Sequence, residues 1–474
     1  MLREKSKWKH HKDLSTNVVY RGGLTRISDE GVERHWSEGV ELSVLFVNQL
    51  PKVGGIKLSK TKSFCISKKS VMAAWERVKE NKGTYGVDLE SLEDFEENLK
   101  DNLYKLWNRM SSGSYFPLAV RGMEIPKRDG GKTNRLLSIP TVSDRVAQAV
   151  VKSYLEPIVE PIFHTDSYGY RPGKSALDAV GIARERCWRN DWCIDIDIRS
   201  FFDTVDHQLL LKAIRFHTDE KWIHLYIERW LKAPIQKGNG TLIERHSGIS
   251  QGGVISPLIS NIFMHYAFDE WMKRQFPEIK FERYVDDALV HCSSKTLAEK
   301  VLEAIRVRLK ECGLELHPDK TRIVYCKDVD RKGSYEHESF DFLGYTFRPR
   351  LSMNKEGKTF VNFTPAISQK AASRIKKEIR SWKLHLRSDK DIGDLARMFN
   401  SIVQGWVNYY GRYYKSAMYP SLRNIEQYLT RWVMKKYKRY QGHKRRARKW
   451  LGCVRKREPK LFVHWRLGLG SPIG

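Results

Sequence analysis

The most constraining stretch of the sequence is RYVDDALVHC, Arg283 to Cys292, in which two adjacent aspartates interrupt two short apolar runs. In a flat strand neighbouring side chains point to opposite faces, and adjacent carboxylates repel. A tight hairpin reconciles the pattern. Side chains at a turn need not diverge, and bound cations remove their repulsion. An Asp-Asp pair in a turn is on its own usually structural, because Asp is a favoured turn residue. Its meaning rests on what accompanies it.

The chain is strongly basic, with a net charge of +29, and the excess is uneven. From residue 371 onward there are 26 Lys and Arg against 6 Asp and Glu, which is +20 of the total. A short charge run is usually a solvated helix face. This one extends to the end of the chain and is interleaved with Trp and Tyr, so a polyanion is the expected partner: each phosphate contact releases a condensed counterion, and aromatic rings stack on bases. No basic amphipathic helix near a terminus favours an anionic membrane instead. No apolar run approaches the roughly 18 residues of a membrane span. The start, MLREKSKWKHHKDLS, lacks the apolar core of a secretory signal. Seven scattered cysteines without a C-x-x-C pair argue against a zinc module or a disulfide framework and fit a reducing cytosol.

Periodicity gives an α+β centre followed by a helical module. Helices are expected over SVMAAWERVKEN and LESLEDFEENLKDNLYKLWNRM, and over SDRVAQAVVKSYLEPIVEPIF with Ser143 or Asp144 as its N-cap. SPLISNIFMHYAFDEWMKRQF reads as one long helix. Two strand-like runs flank Asp129-Gly130-Gly131, a hairpin signal. WCIDIDIRSFF alternates as a half-buried strand, and LELHPDKTRIVY and ESFDFLGYTFRP are strands closing this region near Pro349. From about Thr364 the pattern is helical. The expected division is a basic extension over 1–70, a catalytic region over 71–365, a helical domain over 366–440 and a basic tail over 441–474.

Acids at two strand ends, Asp197 in DIDIRSFFD and Asp286 with Asp287 in YVDD, suit nucleotidyl transfer. That reaction uses two divalent cations about 4 Å apart, one activating a 3′-hydroxyl and one holding the triphosphate and leaving oxygen. Mg²⁺ takes hard oxygen ligands and keeps several waters, so two or three carboxylates suffice.

The order of motifs then carries a resemblance. DIRSFF, SQGGVISPLISNIF, YVDD, LELHPDKT and FDFLGY follow one another, with KGTYGVD and VRGMEIPKRDGGKTNRLLSIPTVSDRVAQ upstream and FNSIVQGWVNYYGRYY downstream. Over residues 80–440 or so, the chain resembles reverse transcriptases of the group II intron-encoded and group II-like bacterial kind. The resemblance implies a right-hand polymerase, with fingers and palm on an antiparallel sheet and a helical thumb or maturase domain. It implies that Asp197, Asp286 and Asp287 hold two Mg²⁺ ions, with Mn²⁺ as a substitute. Asp195 is the alternative to Asp197, but only Asp197 has an aromatic residue at the fifth following position. Phe202 would pack under the deoxyribose and exclude a 2′-hydroxyl. Gln251 and Gly252 would let the backbone approach the incoming nucleotide, and Lys127 and Arg135 would neutralise its triphosphate. Lys320 would protonate the leaving pyrophosphate. Gly344 and Tyr345 would sit in the turn that braces the primer. GWVNYYG can equally be thumb packing, with Trp406, Tyr409 and Tyr410 in an apolar seam.

The implied partners are an RNA template, a DNA or RNA primer, dNTPs and a structured intron RNA, in a bacterial cytoplasm. RNA polymerases of this class carry Gly before the Asp pair and an acid where Phe202 stands, so Val285 and Phe202 point to a DNA product. No H-N-H or paired C-x-x-C pattern marks an endonuclease domain. Two other roles stand beside intron splicing and mobility: a group II-like enzyme in host DNA repair or anti-phage defence, and a non-catalytic splicing factor. Val285, where the intron enzymes usually have Ala, and the extension over 1–70 favour the first of these. The intact acids argue against the second.

Overall fold

The computed structural model describes residues 64–126, 134–354 and 356–470. Lys127, the Asp129-Gly130-Gly131 turn and nearly all of the basic extension lie outside them. Among the described residues no helix is long and apolar enough to cross a membrane.

The first helices, Lys68–Asn81, Leu92–Glu97 and Leu99–Ser112, pack Trp75, Phe95 and Met110 into the main core. The second amphipathic run is broken at Asn98, so one expected helix is two. The helix Val142–Val159 is capped by Thr141, whose hydroxyl accepts from the Asp144 backbone amide, and not by Ser143 or Asp144. Most of its residues are buried, so it forms the spine of the first half.

Strands β1 (Val120–Pro126) and β2 (Asn134–Ile139) form the antiparallel hairpin expected of the fingers. β3 (Trp192–Ile196) follows the helix Ala176–Arg189 and is almost wholly buried. β4 (Ile235–Gln236) lies parallel to β1 and pairs with β5 (Leu242–Ile243). β6 (Phe281–Tyr284), β7 (Asp287–Cys292), β3 and β8 (Arg322–Tyr325) make a second sheet in that order, antiparallel throughout. Its central pair, β7 and β3, carries the acids. Between β5 and β6 the expected long helix is interrupted: Ser256–Met264 passes through a π segment, His265–Asp269, into Glu270–Gln275. Such bulges are frequent at functional sites.

A third sheet is built from β9 (Phe340–Phe342), β10 (Tyr345–Met353) and β11 (Thr359–Ile367). The strands do not close near Pro349. β10 runs through that proline, and β11 returns beside it in unbroken register. β9 reaches only as far as Phe347 along β10, so Pro349 stands where β10 has a single neighbour and tolerates a missing amide donor.

The helices Gln369–Ser381, Ile392–Tyr410, Tyr419–Lys436 and Lys444–Arg457 share a separate core around Trp382, Leu395, Trp432 and Trp465. The last of them buries Ala447, Leu451 and Val454 and turns most of its Lys and Arg side chains outward, so a basic amphipathic helix does stand near the C-terminus, contrary to the sequence reading.

Candidate active site

Tyr284 pairs with Asp287, so Val285 and Asp286 form a two-residue turn between β6 and β7. Val285 takes φ +63°, a left-handed conformation that a β-branched residue adopts only under constraint. The constraint comes from behind the turn. Val285 is 3 % exposed, and a Cβ on Gly169 would fall 2.6 Å from its Cγ2 and 2.7 Å from its backbone nitrogen. The branched side chain therefore fills the interior beneath the turn.

Arg283 fixes the same turn electrostatically. Its Nη1 donates to the Val285 carbonyl at 2.8 Å and to Asn261 Oδ1 at 3.2 Å. Its Nε and Nη2 grip the Asp269 carboxylate at 2.7 and 2.5 Å, and Nη2 also donates to Ser167 Oγ at 2.9 Å. Asn261 Nδ2 donates to the Gly169 carbonyl at 2.7 Å. Arg283 and Asp269 are fully buried, and Asp269 closes the π segment. Sequence reasoning missed this brace. Its one signal was an arginine inside an apolar strand, which requires a buried partner.

Pairing of β3 with β7 sets Ile196 against Ala288, which delivers Asp197 to the end of the sheet where the Asp286-Asp287 turn lies. Lys320 Nζ stands 3.4 Å from Asp197 Oδ2. Thr321 Oγ1 accepts from the Asp197 amide and donates to its carbonyl, at 3.3 and 3.2 Å. The surrounding protein raises the Asp286 carboxyl, with the Asp197 charge adding to the effect and Arg135 and Arg283 opposing it. Crowding and then the charges of Asp286, Asp195 and Asp197 push Asp287 up to about 8, although the residue still opens onto solvent. Burial is also the main cause that lifts Asp195 to about 7, with Arg322 opposing and the charges of Asp197 and Asp341 adding. Asp195 sits one step deeper in the sheet, opposite Leu289 and Arg322.

These carboxylates share one field that a cation would relieve. The donors are hard oxygens, and Asp197 and Asp287 reach solvent, which leaves room for metal-bound water. The set fits Mg²⁺.

The remaining expected residues fall into two groups. Phe202 lies on the short helix Phe201–Thr204, half-buried and edge-on to Phe201 at 5.3 Å. Its carbonyl accepts from the Ile249 amide at 2.7 Å, so the Gln-Gly loop is docked against it. Gln251 accepts twice from β2: its carbonyl from the Ser138 amide at 2.8 Å, and its Oε1 from Arg135 Nε. Gly252 has φ +128°, and a Cβ there would come within 2.5 Å of the Ser138 carbonyl oxygen; only glycine permits this approach. Arg135, Gln251 and Gly252 thus join fingers to palm beside Asp286.

Gly344 and Tyr345 belong to the β9–β10 turn, whose Leu343 and Tyr345 share one apolar cluster with Tyr284. Leu343 and Gly344 both take positive φ, +49° and +82°. Tyr345 is fully buried, and its hydroxyl donates to the Tyr409 carbonyl, while the Tyr409 hydroxyl donates to the Leu343 carbonyl at 2.7 Å. The turn is clamped to the helix Ile392–Tyr410, with Leu343 and Gly344 at its tip. Trp406 stacks on Trp382 at 5.5 Å, so the seam reading of GWVNYYG holds for that residue.

Comparison with known proteins agrees with this architecture. The family model for reverse transcriptase (RNA-dependent DNA polymerase) matches residues 125–347. The model for the group II intron maturase-specific domain matches residues 372–450. Protein YkfC of Escherichia coli (strain K12) is 31 % identical over 300 residues, covering 55 % of this chain and 75 % of that one. The group II intron-encoded protein LtrA of Lactococcus lactis subsp. cremoris is 32 % identical over 422 residues, covering 71 % of this chain and 68 % of that one. With both family models matched along it and a relative 32 % identical over 71 % of its length, the chain belongs to the group II intron-type reverse transcriptases and is an RNA-directed DNA polymerase.

Proposed function

We propose that this enzyme copies RNA into DNA at a site where Asp197, Asp286 and Asp287 hold two Mg²⁺ ions. The observation that supports it most is the convergence of Asp197 with the Asp286-Asp287 turn in one field, with Lys320 3.4 Å from Asp197. When bound, the cations activate the primer 3′-hydroxyl and neutralise charge on the triphosphate. Lys320 is half-exposed in the turn just before β8, able to turn from Asp197 and give a proton to the departing pyrophosphate. Arg135 meets the triphosphate, and Lys127 does so as the family resemblance implies. Phe202 excludes a ribose 2′-hydroxyl with its half-buried ring. Gln251 and Gly252 shape the nucleotide pocket, and the Leu343-Gly344 turn, held by Tyr345, steadies the primer end.

We further propose that residues 71–365 form fingers and palm and 366–440 the thumb. The outward basic face of Lys444–Arg457, within 441–474, then joins the thumb in binding structured intron RNA and assisting its splicing. RNA-templated extension of a DNA primer with dNTPs and Mg²⁺, run in parallel with rNTPs, tests the polymerase reading. DNA product with little RNA product supports it, and equal use of both nucleotides removes the role given to Phe202. Splicing of a cognate group II intron RNA at limiting Mg²⁺, with and without the protein, tests the maturase reading; no acceleration overturns it.

A further inference from the structure

Behind the catalytic turn, on the same two strands, lies a group of side chains that polymerisation does not use. Cys193 on β3 stands directly across from His291 on β7. Cys187 reaches them from the helix Ala176–Arg189, and the ligand atoms of all three lie within 4.8 Å of one another. Among the described residues no other three His, Cys, Asp or Glu side chains meet so closely. Cys326, just past β8, is in hydrogen-bonding contact with Cys187 but stands outside that close group of three, so it would have to draw in to become a ligand. Cys187, Cys193 and Cys326 are completely buried and His291 is 2 % exposed.

The imidazole separates this cluster from ordinary core packing. His291 Nε2 donates to Glu282 Oε1 at 2.7 Å, and Glu282 is held in turn by Arg186 Nη1 at 2.9 Å. With Nε2 engaged by the carboxylate, Nδ1 is the ring nitrogen left for a metal. Nδ1 is buried and has no hydrogen-bond partner. Three thiols alone would pass as small apolar side chains. An orphaned imidazole nitrogen beside them, its other nitrogen on a carboxylate, is the arrangement of a metal-ligating histidine. The surroundings are Leu289, Val324 and phenylalanine rings, so beyond the thiols and Nδ1 the site offers little to hold a water.

We propose that Cys187, Cys193 and His291 Nδ1, with Cys326 as the fourth ligand, bind one zinc ion inside the palm. Sulfur and imidazole donors in a closed, four-ligand set select zinc over the hard cations of the active site. Binding replaces each thiol S–H by S–Zn and releases the protons to solvent. Sequence spacing gave no sign of the site, because its ligands come from a helix, two strands and a strand end. Its role is structural: Cys193 lies four residues before Asp197 and His291 four after Asp287, so the ion staples the two strands that carry the catalytic acids.

The test is metal content of the full chain, produced with zinc in the medium and dialysed free of loose metal. The expected result is about one zinc per chain, retained in Asp287→Ala and in the double variant Cys65→Ser/Cys453→Ser, which removes the two exposed cysteines. Cys193→Ser and His291→Ala are expected to lose it. Replacement by Co²⁺ should give thiolate-to-cobalt charge-transfer absorption in the wild-type chain. A wild-type chain without zinc and without that absorption overturns the proposal whether or not the variants fold. Zinc that disappears with Cys65 and Cys453 overturns it as well.

Discussion

Asp287 sets the pH behaviour of the site. Crowding and the charges of Asp286, Asp195 and Asp197 push its carboxyl up to about 8 in the fold, against an ordinary value of 3.8. An acid with a raised folded pKa binds its proton more tightly when folded, so its stabilising contribution is full below the ordinary value and is lost as pH rises through the folded one. Without divalent cations, the protein is therefore expected to lose thermal stability between about pH 4 and pH 8. Mg²⁺ should restore most at the alkaline end. Asp287→Asn should flatten the dependence and raise Tm at pH 8 in EDTA, and melting curves with and without Mg²⁺ check this. A second residue-scale expectation concerns Arg283. Arg283→Met leaves Asp269 charged and alone in the interior and should cost about 3–5 kcal/mol, read from denaturant midpoints. The acids stood out in the sequence because the chemistry proposed for them needs that residue type at a strand end or turn. Arg283, Asp269 and Asn261 were not, since their meaning lies in a contact across distant elements.

At the scale of elements, the β6–β7 turn depends on close packing against Gly169. A Cβ there would meet both the Val285 side chain and its backbone nitrogen. Gly169→Ala is expected to destabilise by about 1–3 kcal/mol and to lower the extension rate, although no ligand is touched. Val285→Ala should relieve only part of it, because the backbone contact at 2.7 Å remains. Urea unfolding and single-nucleotide extension of the single and double variants measure both effects. Most elements were readable from period and turn residues. The misses have local causes: the N-cap moved to Thr141, whose hydroxyl reaches the Asp144 amide, and the π segment kept helical spacing while adding a residue to one turn. Pro349 looked like a strand end because nothing in the sequence shows that β9 stops short of it.

At the scale of the whole molecule, the positive charge and the acid cluster are complementary. The basic excess is concentrated in the helices that follow β11, where a polyanion would lie, while cations bound as proposed would offset the carboxylates. Replacing Lys444, Arg445, Arg448 and Lys449, all exposed on one helix, by serine should weaken RNA binding. It should also reduce the slope of log affinity against log salt by about 0.7 for each phosphate that is no longer neutralised. Filter binding from low to moderate salt measures the slope, and an unchanged slope would remove that face from the RNA interface. Composition announced this partner from the sequence alone, whereas the clamp of Tyr345 and Tyr409 between the third sheet and the thumb helix emerges only from the fold.

The central claim is that Asp197, Asp286 and Asp287 are the cation ligands of DNA synthesis on RNA. Extension of a DNA primer on an RNA template with dNTPs and Mg²⁺ by Asp286→Ala tests it most directly, with Tm measured on the same preparation. The account expects a loss on the order of 10³-fold or more in a protein that melts no lower than wild type in EDTA. Extension by Asp286→Ala at the wild-type rate would contradict it.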